Sequence, residues 1–359
     1  MKKSTLALAV AAALATSVAV ADTTLYGSAR VSVDFVSLEG SPNFPGSDAW
    51  DIVNNSSRLG VRGSEDLGGG LSAIYQYEFG IDMTEGSSGF EGNRPKWVGL
   101  SGDSWGSVTL GTQWTPYYNV AGVADIFNAS GAGGFTVLTG YLGATWGTRL
   151  DNSLVYKSPN FSGFSAEVML VANGSVSTRV PNTSQGVDLW QIAGKYVNGP
   201  FYAGGAYMGL NNSSRDSFNG DDLQLWTLVG AYQPGPFTVG LLYEQGDLNT
   251  VSVLASNAGF GLDSIDDTWS LYLWGSYTFG NNIIRAAYGY MEPDGRYFNT
   301  NSGRATDFDE IQNLLLGYQY NFSKRTRVWA EYLGRTGDDN SNIGLGDRNA
   351  VSMGVRHDF

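Results

Sequence analysis

The sequence of 359 residues contains no cysteine and one histidine, His357. The missing thiols exclude a disulfide framework and any cysteine-ligated metal or redox centre. With a single histidine there is no set of imidazoles to bind zinc or to build an ordinary triad. Charge is also scarce, at 15% of residues, and 21 Lys plus Arg face 34 Asp plus Glu for a formal net charge of −13. Such a balance excludes nucleic acid as a partner, because backbone phosphates are neutralised by an excess of basic side chains. Beyond Val20 there is no long apolar run, so no transmembrane helix is encoded. What is present looks at odds with that absence: 17 Phe, 20 Tyr, 10 Trp and 49 Gly. So many aromatics need an interface. A transmembrane β-barrel supplies one, since its apolar residues alternate along each strand and never form a long run.

At the amino terminus, Lys2 and Lys3 precede the apolar run Leu6–Val20, which ends in Ala19-Val20-Ala21. This pattern predicts a secretory signal peptide over residues 1–21, cleaved after Ala21. The run is short for a retained membrane anchor, the alternative. The remaining residues 22–359 are expected to form one barrel domain with 19 basic against 34 acidic side chains, a formal charge of about −15. Export and closure together place the protein in the outer membrane of a Gram-negative bacterium, among its lipid and lipopolysaccharide.

The organising repeat is a strand that ends in an aromatic, a tight turn, and a second alternating strand. It recurs at 156–164 (YKSPNFSGF), 196–201 (YVNGPF), 232–237 (YQPGPF), 277–283 (YTFGNNI) and 320–328 (YNFSKRTRV). Two further short turns fit, at 66–70 (DLGGG) and 102–106 (GDSWG). Gly, Pro and Asn make tight turns, and flanking aromatics suit one membrane interface. Longer polar segments lie between, near 37–54, 82–94, 114–150, 173–186, 211–221, 248–266, 293–308 and 337–347. Seven short turns and eight long loops join sixteen strands, the even count of bacterial outer-membrane barrels. The fold class is therefore all-β, a 16-stranded antiparallel transmembrane β-barrel.

Alternation supports the count. In the first strand Leu25, Gly27, Ala29, Val31, Val33 and Phe35 share one face, and Tyr26, Ser28, Arg30, Ser32 and Asp34 the other. In the last, Val351, Met353 and Val355 alternate with Ser352, Gly354, Arg356 and Asp358, closing on Phe359. A strand over 268–279 puts Trp269, Leu271, Leu273, Tyr277 and Phe279 on one side. Periodicity alone also fits a soluble sandwich, but strands of this length behind a leader favour the membrane. The polar face then lines a lumen, which in sixteen strands is wide enough for water. The segment Leu223–Tyr232 carries bulky apolar residues on both faces, so alternation does not orient it.

Over nearly the whole mature chain the sequence resembles the Gram-negative general porins, in particular the neisserial and related proteobacterial branch. The resemblance is carried by 25–35 (LYGSARVSVDF), 57–67 (SRLGVRGSEDL), 92–113 (GNRPKWVGLSGDSWGSVTLGTQ) and 354–359 (GVRHDF). It implies a homotrimer of barrels, each admitting small hydrophilic solutes by passive diffusion and narrowed by an inward-folded third loop. Phe359 resembles the terminal aromatic read by the barrel assembly machinery. No cofactor is implied. The chain departs from the family on the fifth strand, where relatives often carry basic residues and Thr109 and Thr112 stand here. Ion selectivity is therefore not carried over.

The third long loop is unusual on composition alone, because between Trp114 and Arg149 its one charge is Asp125. A connector rich in Gly, Ala and aromatics fits a tucked-in position better than an exposed one. A short helix within 117–128 would gather Val120, Val123, Ala124 and Phe127 on one face. Asp125 is then the candidate acid at the constriction, or else a plain helix-surface carboxylate. Opposite it, strand parity and closure place Arg30, Arg58 and Arg62 beside Arg327, Arg335 and Arg356 on one inward wall. A positive wall facing a negative loop sets up a transverse field that sorts polar from apolar solutes. Alternatively these arginines are merely neutralised by Asp34, Glu331 and Asp358.

Two other functional classes deserve comparison. An outer-membrane enzyme has only His357 as a base, in a terminal motif suited to assembly, and its paired carboxylates lie in loops with nothing to fix their geometry. A sugar-specific channel could use Trp114, Tyr117, Tyr118, Tyr141 and Trp146 as an aromatic slide, or these residues could pack the loop to the wall. The run Asp338–Asn342 starts like a calcium loop, but Ile343 and Asn349 occupy its sixth and twelfth positions, so the motif fails. Loosely bound calcium in acidic loops is left open.

Overall fold

A computed structural model describes residues 22–38, 46–85, 90–92, 94–129, 148–172, 187, 189–210, 223–246, 261–265, 268–292, 295–299, 304–307, 310–337 and 347–359. Eighteen strand segments form one antiparallel sheet. Two strands are each built from two segments, which leaves sixteen positions around the wall. They are β1 (Asp22–Leu38), β2 (Ser47–Asn54 with Arg58–Gly68), β3 (Leu71–Ile81), β4 (Phe90–Glu91 with Lys96–Gly102), β5 (Gly106–Trp114), β6 (Arg149–Lys157), β7 (Phe164–Val171) and β8 (Leu189–Asn198). The second half comprises β9 (Phe201–Leu210), β10 (Leu223–Tyr232), β11 (Phe237–Gly246), β12 (Thr268–Phe279), β13 (Asn282–Glu292), β14 (Ile311–Asn321), β15 (Thr326–Thr336) and β16 (Arg348–Asp358). β16 pairs with β1 from Asp358 opposite Ser28 to Arg348 opposite Leu38, so the sheet closes and has no free edge. Closure is what lets strands cross a bilayer, because it leaves no row of unpaired edge amides and carbonyls facing lipid.

All seven short turns fall where the sequence places them, joining β2–β3, β4–β5, β6–β7, β8–β9, β10–β11, β12–β13 and β14–β15. In the first of these Gly68, Gly69 and Gly70 all have positive φ (85°, 63° and 78°), a backbone open to glycine and costly for other residues. The connectors at the other end are long. Two of them are more ordered than the sequence suggests: segments Gly261–Ile265, Gly295–Asn299 and Arg304–Asp307 pair as a separate three-stranded sheet. Residues 1–21, much of the acidic loop sequence, and Tyr141 and Trp146 lie outside the described residues.

The alternating faces are as read from the sequence. On β1, Leu25 and Val33 are exposed outward while Ser28, Ser32 and Asp34 are buried inward. Outward aromatics form two bands. At the long-loop end Trp190 stacks on Tyr207, and Trp226, Tyr243, Trp269 and Tyr290 follow each other at ring separations of 5.2, 6.2 and 5.3 Å. At the short-turn end Phe201 meets Tyr232, Phe237 meets Tyr277, and Tyr320 meets Phe322. These bands belong at the two interfaces of a bilayer, where an amphipathic ring has one wet side and one dry.

The inward side is not uniformly polar. Ala193, Ala206, Met208, Leu225, Val229, Leu242, Tyr272 and Trp274 form a buried cluster on β8 to β12, together with Tyr117, Val120, Ala121, Ala124 and Phe127 from the loop after β5. This settles β10: Leu225, Thr227 and Val229 face inward, and Leu228 is 57% exposed outward. Both faces are apolar because one meets lipid and the other meets the loop.

Candidate functional site

The described part of the third loop runs along the lumen side of the wall. Helix α1 (Pro116–Ala121) starts with Thr115, whose side chain accepts from the Tyr118 amide, and with proline in its first turn, where a missing N–H costs nothing. A 3-10 turn, Gly122–Ala124, ends it, so the short helix anticipated within 117–128 is present and begins one residue earlier, at Pro116. The expected apolar face is there: Val120, Ala124 and Phe127 are buried and Val123 packs beside them. Val120 seats against Gly204, where an added Cβ would stand 2.7 Å from its Cγ1, and Phe127 against Gly317. Glycine at these two inward positions leaves room for the loop.

Polar groups fix both ends of the segment. Near its start, the Tyr117 amide donates to Gln191 Oε1 (3.1 Å), Asn119 Nδ2 to Glu167 Oε2 (2.7 Å), and Tyr202 Oη to the Val120 carbonyl (2.8 Å). At its far end one carboxylate, Glu331, accepts from the Asn128 amide (2.8 Å), Asn128 Nδ2 (3.0 Å) and the Ala129 amide (2.8 Å). Arg285 Nη1 stands 3.6 Å from the same carboxylate, and Arg285 Nη2 and Asn128 Nδ2 both donate to Gln319 Oε1. The anchors are on β7, β8 and β9 at one end and on β14 and β15 at the other. The segment thus covers the intervening wall, and among the described residues the side left open is that of β16, β1, β2 and β3.

The open side carries the arginines. Arg30 lies directly across from Arg356, and Arg356 directly across from Arg327, giving one row over β15, β16 and β1. Arg58 enters from β2 through a break in that strand. The Asn55 amide donates to the Arg30 carbonyl (3.0 Å), the Arg30 amide donates to Ser57 Oγ (2.9 Å), and Ser56 takes φ 66°. The strand resumes at Arg58, opposite Ser28. Strand irregularities of this kind re-aim side chains next to functional sites. Arg58, Arg356, Arg94 and Asp358 all lie within Coulombic reach of Arg30.

The other two arginines of the expected wall sit elsewhere. Arg62 pairs opposite Thr24, four residues nearer the short turns than Arg58 and about 13 Å along the strand, with its guanidinium 5.2 Å from the Tyr26 ring centre. Arg335 is opposite Arg348, eight residues and about 26 Å from Arg327, and donates to Asn313 Oδ1. Among the three acids considered as neutralising partners, Asp358 does pair, with Arg327 (2.9 Å) and Arg356 (2.8 Å). Glu331 holds the loop instead. Asp34 is buried, and among the described residues neither of its carboxylate oxygens has a hydrogen-bond partner. Parity found the correct face for all six arginines but not their heights along the pore.

Three basic residues escaped the sequence reading. Arg94, in the gap within β4, is buried and pairs with Glu78 (3.6 Å), which also accepts from Tyr26 Oη (2.9 Å). Arg149 opens β6 opposite Trp114 and lies 4.4 Å from its ring centre. Arg285 backs the Glu331 anchor. The signals were present: Arg94 precedes Pro95, a bend, and Arg149 is the first strand residue after the loop.

Asp125 faces this basic group. It is exposed to the lumen, accepts from Tyr118 Oη at 2.9 Å and is attracted by Arg30. Enclosure by the barrel raises its carboxyl above the usual carboxylate range, and the Tyr118 hydrogen bond and Arg30 oppose that rise. Of the aromatics considered as a sugar slide, Tyr117 is 1% exposed and belongs to the wall core, whereas Trp114 and Tyr118 stack at 4.4 Å. Among the described residues, Trp114, Tyr117 and Tyr118 form no continuous line.

His357, the one imidazole, faces outward at the short-turn end with Nδ1 2.8 Å from Thr326 Oγ1, away from the lumen. Among the described residues no group of three or more His, Cys, Asp or Glu side chains converges to hold a metal.

The Gram-negative porin family model matches residues 7–341. The chain belongs to that family. An outer membrane porin protein of Bordetella pertussis is 28% identical with all of both chains covered. The major outer membrane protein P.IA of Neisseria meningitidis is 29% identical over 95% of this chain and 96% of its own. Among solved structures, an anion-selective porin from Comamonas acidovorans superposes with a TM-score of 0.72 at 24% identity, covering 94% of this chain and 100% of that one. The porin is accordingly an outer-membrane β-barrel channel and not an enzyme, and the water-filled lumen passes ions and small hydrophilic solutes down their gradients.

Proposed function

We propose that the constriction of this porin is the gap between Asp125 and the row Arg30, Arg58, Arg356 and Arg327, and that it favours anions. One observation carries the reading: Asp125 is held on the loop side within reach of Arg30, which belongs to that row. Counting the neighbours Arg94 and Arg149, six guanidiniums among the described residues border the passage, against Asp125, Asp358 and Glu78. The local balance is positive although the whole chain is at −13. An ion in a narrow bore responds to charges within a Debye length, about 8–10 Å at physiological salt, so the distant acidic loops count for less. Arg62 and Arg335 are then the vestibule residues of the wall. The anion preference named for the Comamonas porin is consistent with this.

The assembly we propose is a homotrimer inserted among outer-membrane lipid and lipopolysaccharide. OmpT of Vibrio cholerae, a barrel of the same fold (TM-score 0.63), is known in a trimer form. Residues 1–21 act as the cleaved export signal, and Phe359 is read by the barrel assembly machinery. Its backbone pairs with Gly27, and its ring occupies the space a Cβ of Gly27 would need.

The test is a planar-bilayer recording under a salt gradient. A general pore gives conductance proportional to bulk salt, steps in threes, no block by sugars, and a reversal potential on the anion side. A cation-side potential at 0.1 M salt refutes the constriction, and sugar block refutes the general pore in favour of the specific channel.

A further inference from the structure

The loop segment contains a contact chain that the constriction does not by itself require. The Arg149 guanidinium lies 4.4 Å from the Trp114 ring centre. Trp114 stacks on Tyr118 with centroids 4.4 Å apart and planes at 17°. Tyr118 Oη then donates to Asp125 Oδ2 at 2.9 Å. Three of these residues are fixed by the wall or by the root of the loop: Trp114 ends β5, Arg149 begins β6, and Tyr118 is in α1. Asp125 lies beyond the last 3-10 residue, with its backbone at φ −79°, ψ 75° and no regular element of its own.

We infer that Tyr118 is the positioning residue of the constriction, its hydroxyl holding the Asp125 carboxylate at a set distance from Arg30 while the Arg149–Trp114 stack holds its ring. This rests on Asp125 being the constriction acid. An exposed carboxylate on an irregular segment samples several rotamers, and its field on a passing ion varies with each. A charge-assisted hydrogen bond from an immobilised phenol selects one. The stack is suited to the task, since an aromatic pair backed by a guanidinium adds rigidity without adding another anion. Burial and the charge of Asp125 raise the Tyr118 hydroxyl well above its usual range, so it remains protonated and a donor at any pH where the channel works. The groups facing Asp125 are Tyr118 from its own loop, Arg30 from β1 and the Tyr272 hydroxyl from β12. Arg58 and Arg149 face Tyr118.

The experiment measures anion-to-cation permeability ratios from pH 3 to 8 in 0.1 M salt for the wild type, Asp125→Asn, Tyr118→Phe and the double variant, each checked as a folded trimer on unheated gels. Anion preference should grow as pH falls through the Asp125 titration, and Asp125→Asn should remove that component. Tyr118→Phe deletes one donor to the charged carboxylate, so the midpoint should move up by about one pH unit. On the Asp125→Asn background Tyr118→Phe should change nothing. Trp114→Leu, which keeps the hydroxyl but removes the stack, should move the midpoint in the same direction by less. An unmoved midpoint in Tyr118→Phe overturns the positioning role and leaves the constriction reading intact. A Tyr118→Phe effect that persists unchanged without Asp125 overturns it as well, because the ring then acts through packing. If Asp125→Asn itself leaves the curve unchanged, Asp125 is not the constriction acid and both readings fail.

Discussion

Reversing the charge of Arg30 is the perturbation that bears most directly on the pore. Arg30 occupies the end of the lateral row begun by Arg327 and Arg356, and the break in β2 places Arg58 at its other side. Arg30→Glu changes the local charge by two units. For an ion passing at about 8 Å through water, Coulomb's law gives roughly 1 kcal/mol before screening, and a Debye length of about 10 Å at 0.1 M reduces this to about 0.5 kcal/mol. Anions lose that amount and cations gain it, so the anion-to-cation permeability ratio should fall about fivefold at 0.1 M. At 1 M the screening length is about 3 Å and the same substitution should change the ratio by only about 1.3-fold. The comparison to make is Arg62→Glu, which reverses the same charge on β2 opposite Thr24, six residues and about 20 Å from the level of Arg30, in the wider vestibule, and should give a clearly smaller shift at low salt. Both are read as reversal potentials in planar bilayers, with trimers confirmed before reconstitution. Equal shifts for the two positions, or a shift for Arg30→Glu that survives at 1 M, would refute the assignment of the narrow zone to the Arg30 row.

Other consequences are open to the same protein preparations. Glu331→Ala strands Arg285 and three donors of the loop, so it should cost roughly 3–5 kcal/mol in folded-state stability and raise open-channel noise; quiet channels of wild-type stability would show that the loop is held elsewhere. Gly240→Ala puts a methyl into the Trp274 ring and should destabilise by about 1–3 kcal/mol, seen as a lower temperature of trimer dissociation on gels. Removing Phe359 should lower the yield of folded protein in cells more than the stability of what does fold, and equal yields would argue against a role in assembly.

Much of the wall could be read from period-two alternation and from turn chemistry, because each short turn carries its own Gly, Pro or Asn signal between aromatics. Face is a local property of a strand and is therefore visible in sequence. Height is not. Arg58 and Arg62 share a face, yet one borders the Arg30 row and the other rests on Tyr26, and only the register of β1 against β2 distinguishes them. The strand segments Ser47–Asn54 and Phe90–Glu91 were equally hidden inside stretches that read as polar loops, 37–54 and 82–94, because each is cut off from the rest of its strand by a break, and across the one at 55–57 the inward parity changes from odd residues to even. β10 resisted orientation for a physical reason: its inward Leu225 and Val229 are covered by a loop that comes from the far side of β5. A pattern rule that assumes a wet lumen fails wherever the lumen is dry. Arg94 and Arg149 stood at segment ends, where parity assigns no face.

The dry patch on β8 to β12 separates two properties that a barrel might be expected to couple. Strand number and tilt fix the circumference, but under the proposed constriction the cross-section left for solutes depends on how the short stretch from Thr115 to Ala129 is seated against that patch. Substitutions at its seats, Gly204 and Gly317 among them, alter the bore while every backbone hydrogen bond of the cylinder stays in place. The cylinder can therefore remain constant across environments with different solutes, while the diameter and charge of the opening are retuned through a few side chains that lipid never touches.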